Sequence, residues 1–239
     1  MAALSAPAPQ GAGGLALLPL VRLLQLASPA LPIGAYSYSQ GLEWAVEDGT
    51  VRTAAAAQAW IGDLLTLVVA GGEAAIAWRL LRAAGEDWAA FARWNAWFRA
   101  SRETAELRGE TEQMGSSLVR LALDLEWLDR PARDALPLLA PITLPAAFAL
   151  AARGFAIPAA AALAAYLWAW LENQVLAAMK LVPLGQVAGQ QMLVALGGAI
   201  PGLVTAASTI ADEDIATFAP GFSLACARHE TQYTRLFRS

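Results

Sequence analysis

Apolar residues return every three or four positions through almost the whole chain, and no stretch alternates convincingly between apolar and polar side chains. A helix keeps residues three and four apart on one face, whereas a strand sends successive ones to opposite faces. The pattern admits helices packed on helices and little else. Leu18 to Leu26 reads as a first short helix, stopped by Pro29 and Pro32. A second is expected to begin near Ser37, whose hydroxyl can cap while Gln40 reaches back from three residues on; Leu42 and Val46 then fall one turn apart. Thr53 can cap a longer helix to about Ala70, ended by Gly71-Gly72. Further helices are expected at about 73–84, 87–99, 101–125, 132–140, 145–153, 158–179, 184–197, 202–210, 212–218 and 222–236. Nothing resembles a repeat or an interdomain linker, so the 239 residues read as all-α, a single-domain helical bundle of roughly ten helices. The domain is expected at 16–226, after a disordered Ala/Pro/Gly-rich tail at 1–15 and before an amphipathic basic partner-binding tail at 227–239.

Hydrophobic residues make up 57% of the chain and charged ones only 15%, so apolar surface is expected to remain after folding and to serve partners, with a homodimer among them. The net charge of -4 argues against nucleic acid, whose phosphates demand a basic footprint. A single cysteine, Cys226, excludes an intrachain disulfide and fits a reducing, cytoplasmic setting. Two uncharged stretches, 154–171 and 181–211, have the length of membrane spans. The first is mostly Ala with Pro158 near its start, and the second carries Gln186, Gln190, Gln191, Pro183, Pro201 and the Gly197-Gly198 pair. Both are expected to be buried core helices, with no membrane as partner. The N-terminal stretch lacks a positive region before its short apolar segment and makes a poor signal peptide.

The motifs of common chemistry are missing from the sequence. There is no GxxxxGK, the only lysine is Lys180, and the glycine pairs follow no strand, which speaks against an independent nucleotide site. His229 is the only histidine, too few for a di-metal bundle, and its Cys-x-x-His pairing with Cys226 lacks further zinc ligands nearby. Ser37 and Ser39 stand outside any Gly-x-Ser-x-Gly elbow and read as caps and loop hydrogen bonders. No catalytic residue, metal ligand or cofactor is expected. Glu103, Glu106 and Glu110 share one helical face, with Leu107, Met114, Leu118 and Leu121 on an apolar one. They read as a solvated face partly offset by Arg102 and Arg108. The alternatives are a docking face for a basic partner and, remotely, the acid–base groups of a small-molecule enzyme. Plotted as a helix, the end of the chain puts Arg228, Arg235 and Arg238 on one side and His229, Tyr233, Leu236 and Phe237 on the other. Either a partner or the chain's own domain would cover its apolar side.

Three blocks in order, LLQLASPALPIGAYSYSQGLE, ASRETAELRGETEQMGSSLVRL and RHETQYTRLFRS, resemble the UreF family of urease accessory proteins. The resemblance spans nearly the whole chain. It implies an all-helical protein that dimerises, works with an accessory protein called UreD or UreH, and recruits the GTPase UreG into a complex delivering nickel to apo-urease. It also implies that Tyr36, Ser37 and Ser39 lie near the surface used by the GTPase, that Arg235 serves its recruitment, and that Tyr233, Leu236 and Phe237 order against UreD/UreH. Arg228 and His229 open the same terminal block and count with these partner-binding residues. Some family members are richer in histidine; this chain has only His229. A bridging role without catalysis is the expected function, with activation of the GTPase as its alternative.

Overall fold

In the computed structural model, which describes residues 15–217 and 219–239, the chain forms α1 (Leu17–Ala27), α2 (Leu42–Glu47), α3 (Ala54–Asp63), a π-helical segment (Leu64–Glu73), α4 (Ala74–Ala83), α5 (Trp88–Ala100), α6 (Ala105–Asp124), α7 (Arg130–Ala135), α8 (Leu144–Gly154), α9 (Ala159–Leu181), α10 (Gln186–Gly197), α11 (Ile200–Thr209) and α12 (Pro220–His229). No strand occurs among the described residues. The architecture is all-α, as the periodicity requires. Residues 1–14, where most of the N-terminal tail was expected, lie outside the described residues.

Short polar side chains set several helix starts. Thr53, Asp87, Thr104 and Asp129 each accept a hydrogen bond from the backbone N–H three residues on, at 3.2, 2.8, 3.2 and 3.0 Å. Each satisfies a donor that the first helical turn leaves without a partner. From there α9 organises the core. It packs against α1, α2, α3, α4, α8, α10 and α11. Ala162, Ala165 and Tyr166 face one apolar cluster, with Phe91, Phe98, Leu118 and Leu150. Leu163, Leu167, Leu171 and Val175 face another, with Leu42, Ile61 and Leu65. A helix that is apolar all round belongs in the interior, which explains the uncharged stretch 154–171.

Three sequence expectations give way. Gly71-Gly72 does not end a helix, because α3, the π segment and α4 run on as one rod from Ala54 to Ala83. The glycines instead admit the chain before α12: Ala216 N–H donates to Gly71 O at 3.2 Å, and a Cβ on Gly72 would stand 2.7 Å from Ala216 O. The helix expected at 212–218 is a single 3-10 turn over Asp212–Asp214, with residue 218 outside the described residues. Finally, α10 and α11 form a 24-residue rod whose apolar window is only 22% buried, against 61% for the Ala54–Ala83 rod. Both rods are long and apolar enough to cross a membrane by length and composition alone. The expectation of a buried 181–211 stretch therefore holds for one side of it. Val187 and Val194 stand exposed on the other, as do Leu17, Leu18, Val21 and Leu24 of α1.

Close packing of α6 on α8 depends on Gly115, where a Cβ would meet Ile142 O at 2.5 Å and Thr143 C at 2.7 Å. Backbone atoms cannot step aside as a side-chain tip can. Gly115→Ala is expected to cost about 1–3 kcal/mol by overpacking, read as a lower urea midpoint with an unchanged slope.

Candidate functional site

The glycine- and serine-rich stretch that interrupts the helical pattern after α1 folds against the far end of the chain. Gly34, Gln40 and Gly41 take left-handed backbone angles, with φ of 83°, 52° and 75°. Such values suit glycine and are uncommon elsewhere, so Gln40 has to be held there. Its N–H donates to Ser239 O at 3.0 Å, its side-chain Nε2 donates to Glu110 Oε1 at 2.7 Å, and its Oε1 accepts from Trp170 Nε1 at 2.7 Å. These bonds replace the expected Ser37–Gln40 capping box. The helix starts later, at Leu42, and Ser39 Oγ accepts from Glu43 N–H at 3.3 Å.

The terminal segment is not a continuous helix. α12 stops at His229, and residues 230–239 lie irregularly over α2, α6 and the loop. Its backbone is tied at both ends of residues 235–239. Leu236 and Phe237 donate their N–H groups to the two carboxylate oxygens of Glu43, the second at 2.9 Å. Arg238 N–H donates to Ser37 O at 2.8 Å. Ser239 O accepts from Ser39 N–H at 2.6 Å and from Ser39 Oγ at 2.7 Å, while Ser239 Oγ donates to Glu110 Oε2 at 2.6 Å. The buried Glu43 carboxylate thus does for two backbone donors of this segment what a helix ladder would have done.

His229 is the centre of that arrangement. It is fully buried, with Nε2 3.0 Å from Glu43 Oε2 and Nδ1 2.7 Å from Glu106 Oε2. A neutral ring can donate to only one of these carboxylates; a doubly protonated ring donates to both. Arg235 pairs with the other oxygen of Glu106. Lys180, the chain's only lysine, lies over the rings of Phe237 and Tyr36, 5.5 and 5.9 Å from their centroids, and so joins loop to tail.

The structure therefore brings Tyr36, Ser37, Ser39, His229, Tyr233, Arg235, Leu236 and Phe237 into one region, but divides them differently from a helical plot. Phe237 points into the core and Ser39 is completely buried; Tyr233 and Leu236 are exposed, as is Tyr36. Arg235 does not stand apart on an opposite face, because it is drawn onto Glu106. Arg228 lies exposed in the last turn of α12.

The acidic face also changes meaning. Glu106 and Glu110 are not solvated: the first is held by His229 and Arg235, the second by Ser239 and Gln40. Glu103 precedes the Thr104 cap and is exposed. Arg102, expected to screen this face, is buried and pairs with Glu73 at 3.2 Å. The three glutamates therefore do not converge on a common substrate. Burial pushes the Glu110 carboxyl up to about 7, against the hydrogen bonds from Ser239 and Gln40 that favour its charged form. Burial also raises the Cys226 thiol, which leaves it unreactive. Among the described residues no group of three or more His, Cys, Asp or Glu could hold a metal ion. Glu43 was missed in the sequence, where it is an ordinary acidic residue in LEWAVE with no periodic signal to mark its burial.

Comparison with known proteins bears on the same regions. The UreF family model matches residues 51–197. A urease accessory protein UreF from Azoarcus sp. (strain BH72) is 59% identical over 231 residues, covering 95% of this chain and 98% of the relative. The chain belongs to the UreF family. A second UreF, from Methylobacillus flagellatus, is 51% identical over 92% of this chain and 97% of its own length. A bifunctional urease accessory protein UreEF from Bordetella bronchiseptica is 52% identical over 92% of this chain, but only 52% of that protein is covered. The family match begins at Val51, so neither the loop nor the docked terminal segment contributes to it. The Azoarcus relative, aligned over most of the chain, extends the likeness well past those limits.

Proposed function

We propose that this protein is a urease accessory protein that bridges UreD/UreH and the GTPase UreG during nickel delivery to apo-urease. The observation that carries the reading is the docked terminal segment: its backbone is fixed by the buried Glu43 carboxylate while Tyr233 and Leu236 remain outside. Exposed apolar side chains on a fixed backbone present a partner with contacts whose ordering cost is already met. Relatives that carry the name urease accessory protein support a role beside other urease accessory proteins, and the family resemblance implies UreD/UreH and UreG as the partners. Activity through partners, without a reaction catalysed by this chain, belongs to the same reading. So do a cytoplasmic setting and a homodimer, for which the exposed apolar residues of α1, α10 and α11 offer surface.

Pull-downs with UreD/UreH and UreG, first separately and then together, test the bridge. UreG is expected to be retained only when UreD/UreH is present. Equal retention of UreG by the isolated chain would overturn the order of assembly, and failure to retain either would overturn the function. In light scattering, the free protein is expected at twice its 25.1 kDa mass at micromolar concentration.

A further inference from the structure

Glu110 faces two ways. One carboxylate oxygen accepts from Ser239 Oγ and the other from Gln40, so this group fastens the last described residue and the loop together. It also lines an internal cavity whose polar side includes Gln40, Glu73, Arg102 and Tyr166. The residue is 4% exposed, and the terminal segment is part of what covers it.

The charged and titratable groups around it come from several neighbouring elements. Glu73 of the π segment adds a second buried negative charge, offset by its ion pair with Arg102. Tyr166 of α9 donates to Glu73. Tyr38 of the loop and Cys226 of α12 are neutral neighbours, each pushed upward by burial and by the Glu110 charge. A charged Glu110 thus has one shared guanidinium, a competing carboxylate and little water. Undocking the segment would let water reach it.

We infer that docking of the terminal segment is proton-linked through Glu110, the protonated carboxyl favouring the docked form and the carboxylate favouring release. The direction follows from burial. A carboxyl raised to about 7 when covered, and returning towards 4.5 when solvated, binds its proton more tightly in the docked state. Docking is then strongest below about pH 4.5, weakens as pH rises from there through about 7, and levels off above it. Protonation keeps both contacts: with the proton on Oε2, the Ser239 hydroxyl turns to accept it, while Oε1 still accepts from Gln40 Nε2. The consequence for partners rests on the function proposed above; the proton linkage itself does not.

The free chain is sufficient for the test. Amide exchange at Leu236 and Phe237, expressed as protection relative to intrinsic rates, reports opening of the segment without any partner. Protection is expected to fall about tenfold between pH 6 and pH 8 for a single group moving between those two values. Glu110→Gln should abolish most of that dependence and keep protection high. A tenfold change that persists in Glu110→Gln would overturn the assignment, as would a flat profile in the unaltered protein. Should that variant fold poorly, the carboxyl carbon of Glu110 can be titrated by NMR in the unaltered chain. A midpoint near 7 supports the inference and one below about 5.5 overturns it. Partner pull-downs at one fixed pH test the bridging function separately, so either idea can fail alone.

Discussion

Glu43→Ala is expected to detach the terminal segment while leaving the helical body folded. The Glu43 carboxylate accepts the N–H groups of Leu236 and Phe237 and also faces His229 Nε2, so a single truncation removes three bonds. It also leaves a buried imidazole facing Glu106 alone. Breaking a buried, hydrogen-bonded charge cluster by removing one member costs about 3–5 kcal/mol. The polar anchors that remain, at Ser37, Ser39, Gln40, Glu110 and Glu106, contribute about 1 kcal/mol each, which leaves buried Phe237 as the main hold on the segment. Protection of Leu236 and Phe237 from exchange should collapse, and thermal unfolding of the body should shift much less. Glu43→Gln should fall between, because its amide keeps one acceptor oxygen but turns two donors towards the histidine. Unaltered protection in Glu43→Ala would mean that the aromatic contacts, not the carboxylate, hold the segment.

Legibility in the sequence followed the range of the interactions. Caps act over three residues, so Thr53 could be placed from neighbours alone, and the broad apolar periodicity of α6, α8 and α9 was equally local. The failures are long-range. Gly71-Gly72 looks like a stop until Ala216 and Thr217 are known to lie against it, when it becomes the space for a passing backbone. Residues 230–236 have helical spacing, but the N–H groups of Leu236 and Phe237 go to the Glu43 carboxylate and not to helical carbonyls. Glu106 and Glu110 were correctly read as sharing a face; what that face met, some 120 residues later, was not readable. His229 looked ordinary because its two carboxylate partners lie far away in the chain. The site was thus legible as a set of residues and illegible as a division of labour among them.

That division separates two kinds of lesion that a plot of helical faces would merge. Phe237 is buried in the cluster with Leu42, Ile61 and Leu167, beneath Lys180, whereas Tyr233 and Leu236 lie exposed on the same short segment. Phe237→Ala should therefore act through stability. Loss of a buried phenylalanine costs about 3–5 kcal/mol, enough to undock the segment and to lower exchange protection at Leu236. The double variant Tyr233→Ala/Leu236→Ala removes side chains that contribute almost nothing to the free fold. Its unfolding temperature and tail protection should match the parent, yet its affinity for UreD/UreH should fall by tens to hundreds of fold if these are interface anchors of about 2 kcal/mol or more together. Calorimetric titration of both variants, alongside exchange measurements on the free proteins, separates the two routes. Weakened binding in the double variant with an intact segment identifies a contact surface. Binding at parental strength in the double variant would instead show that the partner lies elsewhere, and that the buried glutamates hold this segment for the fold alone.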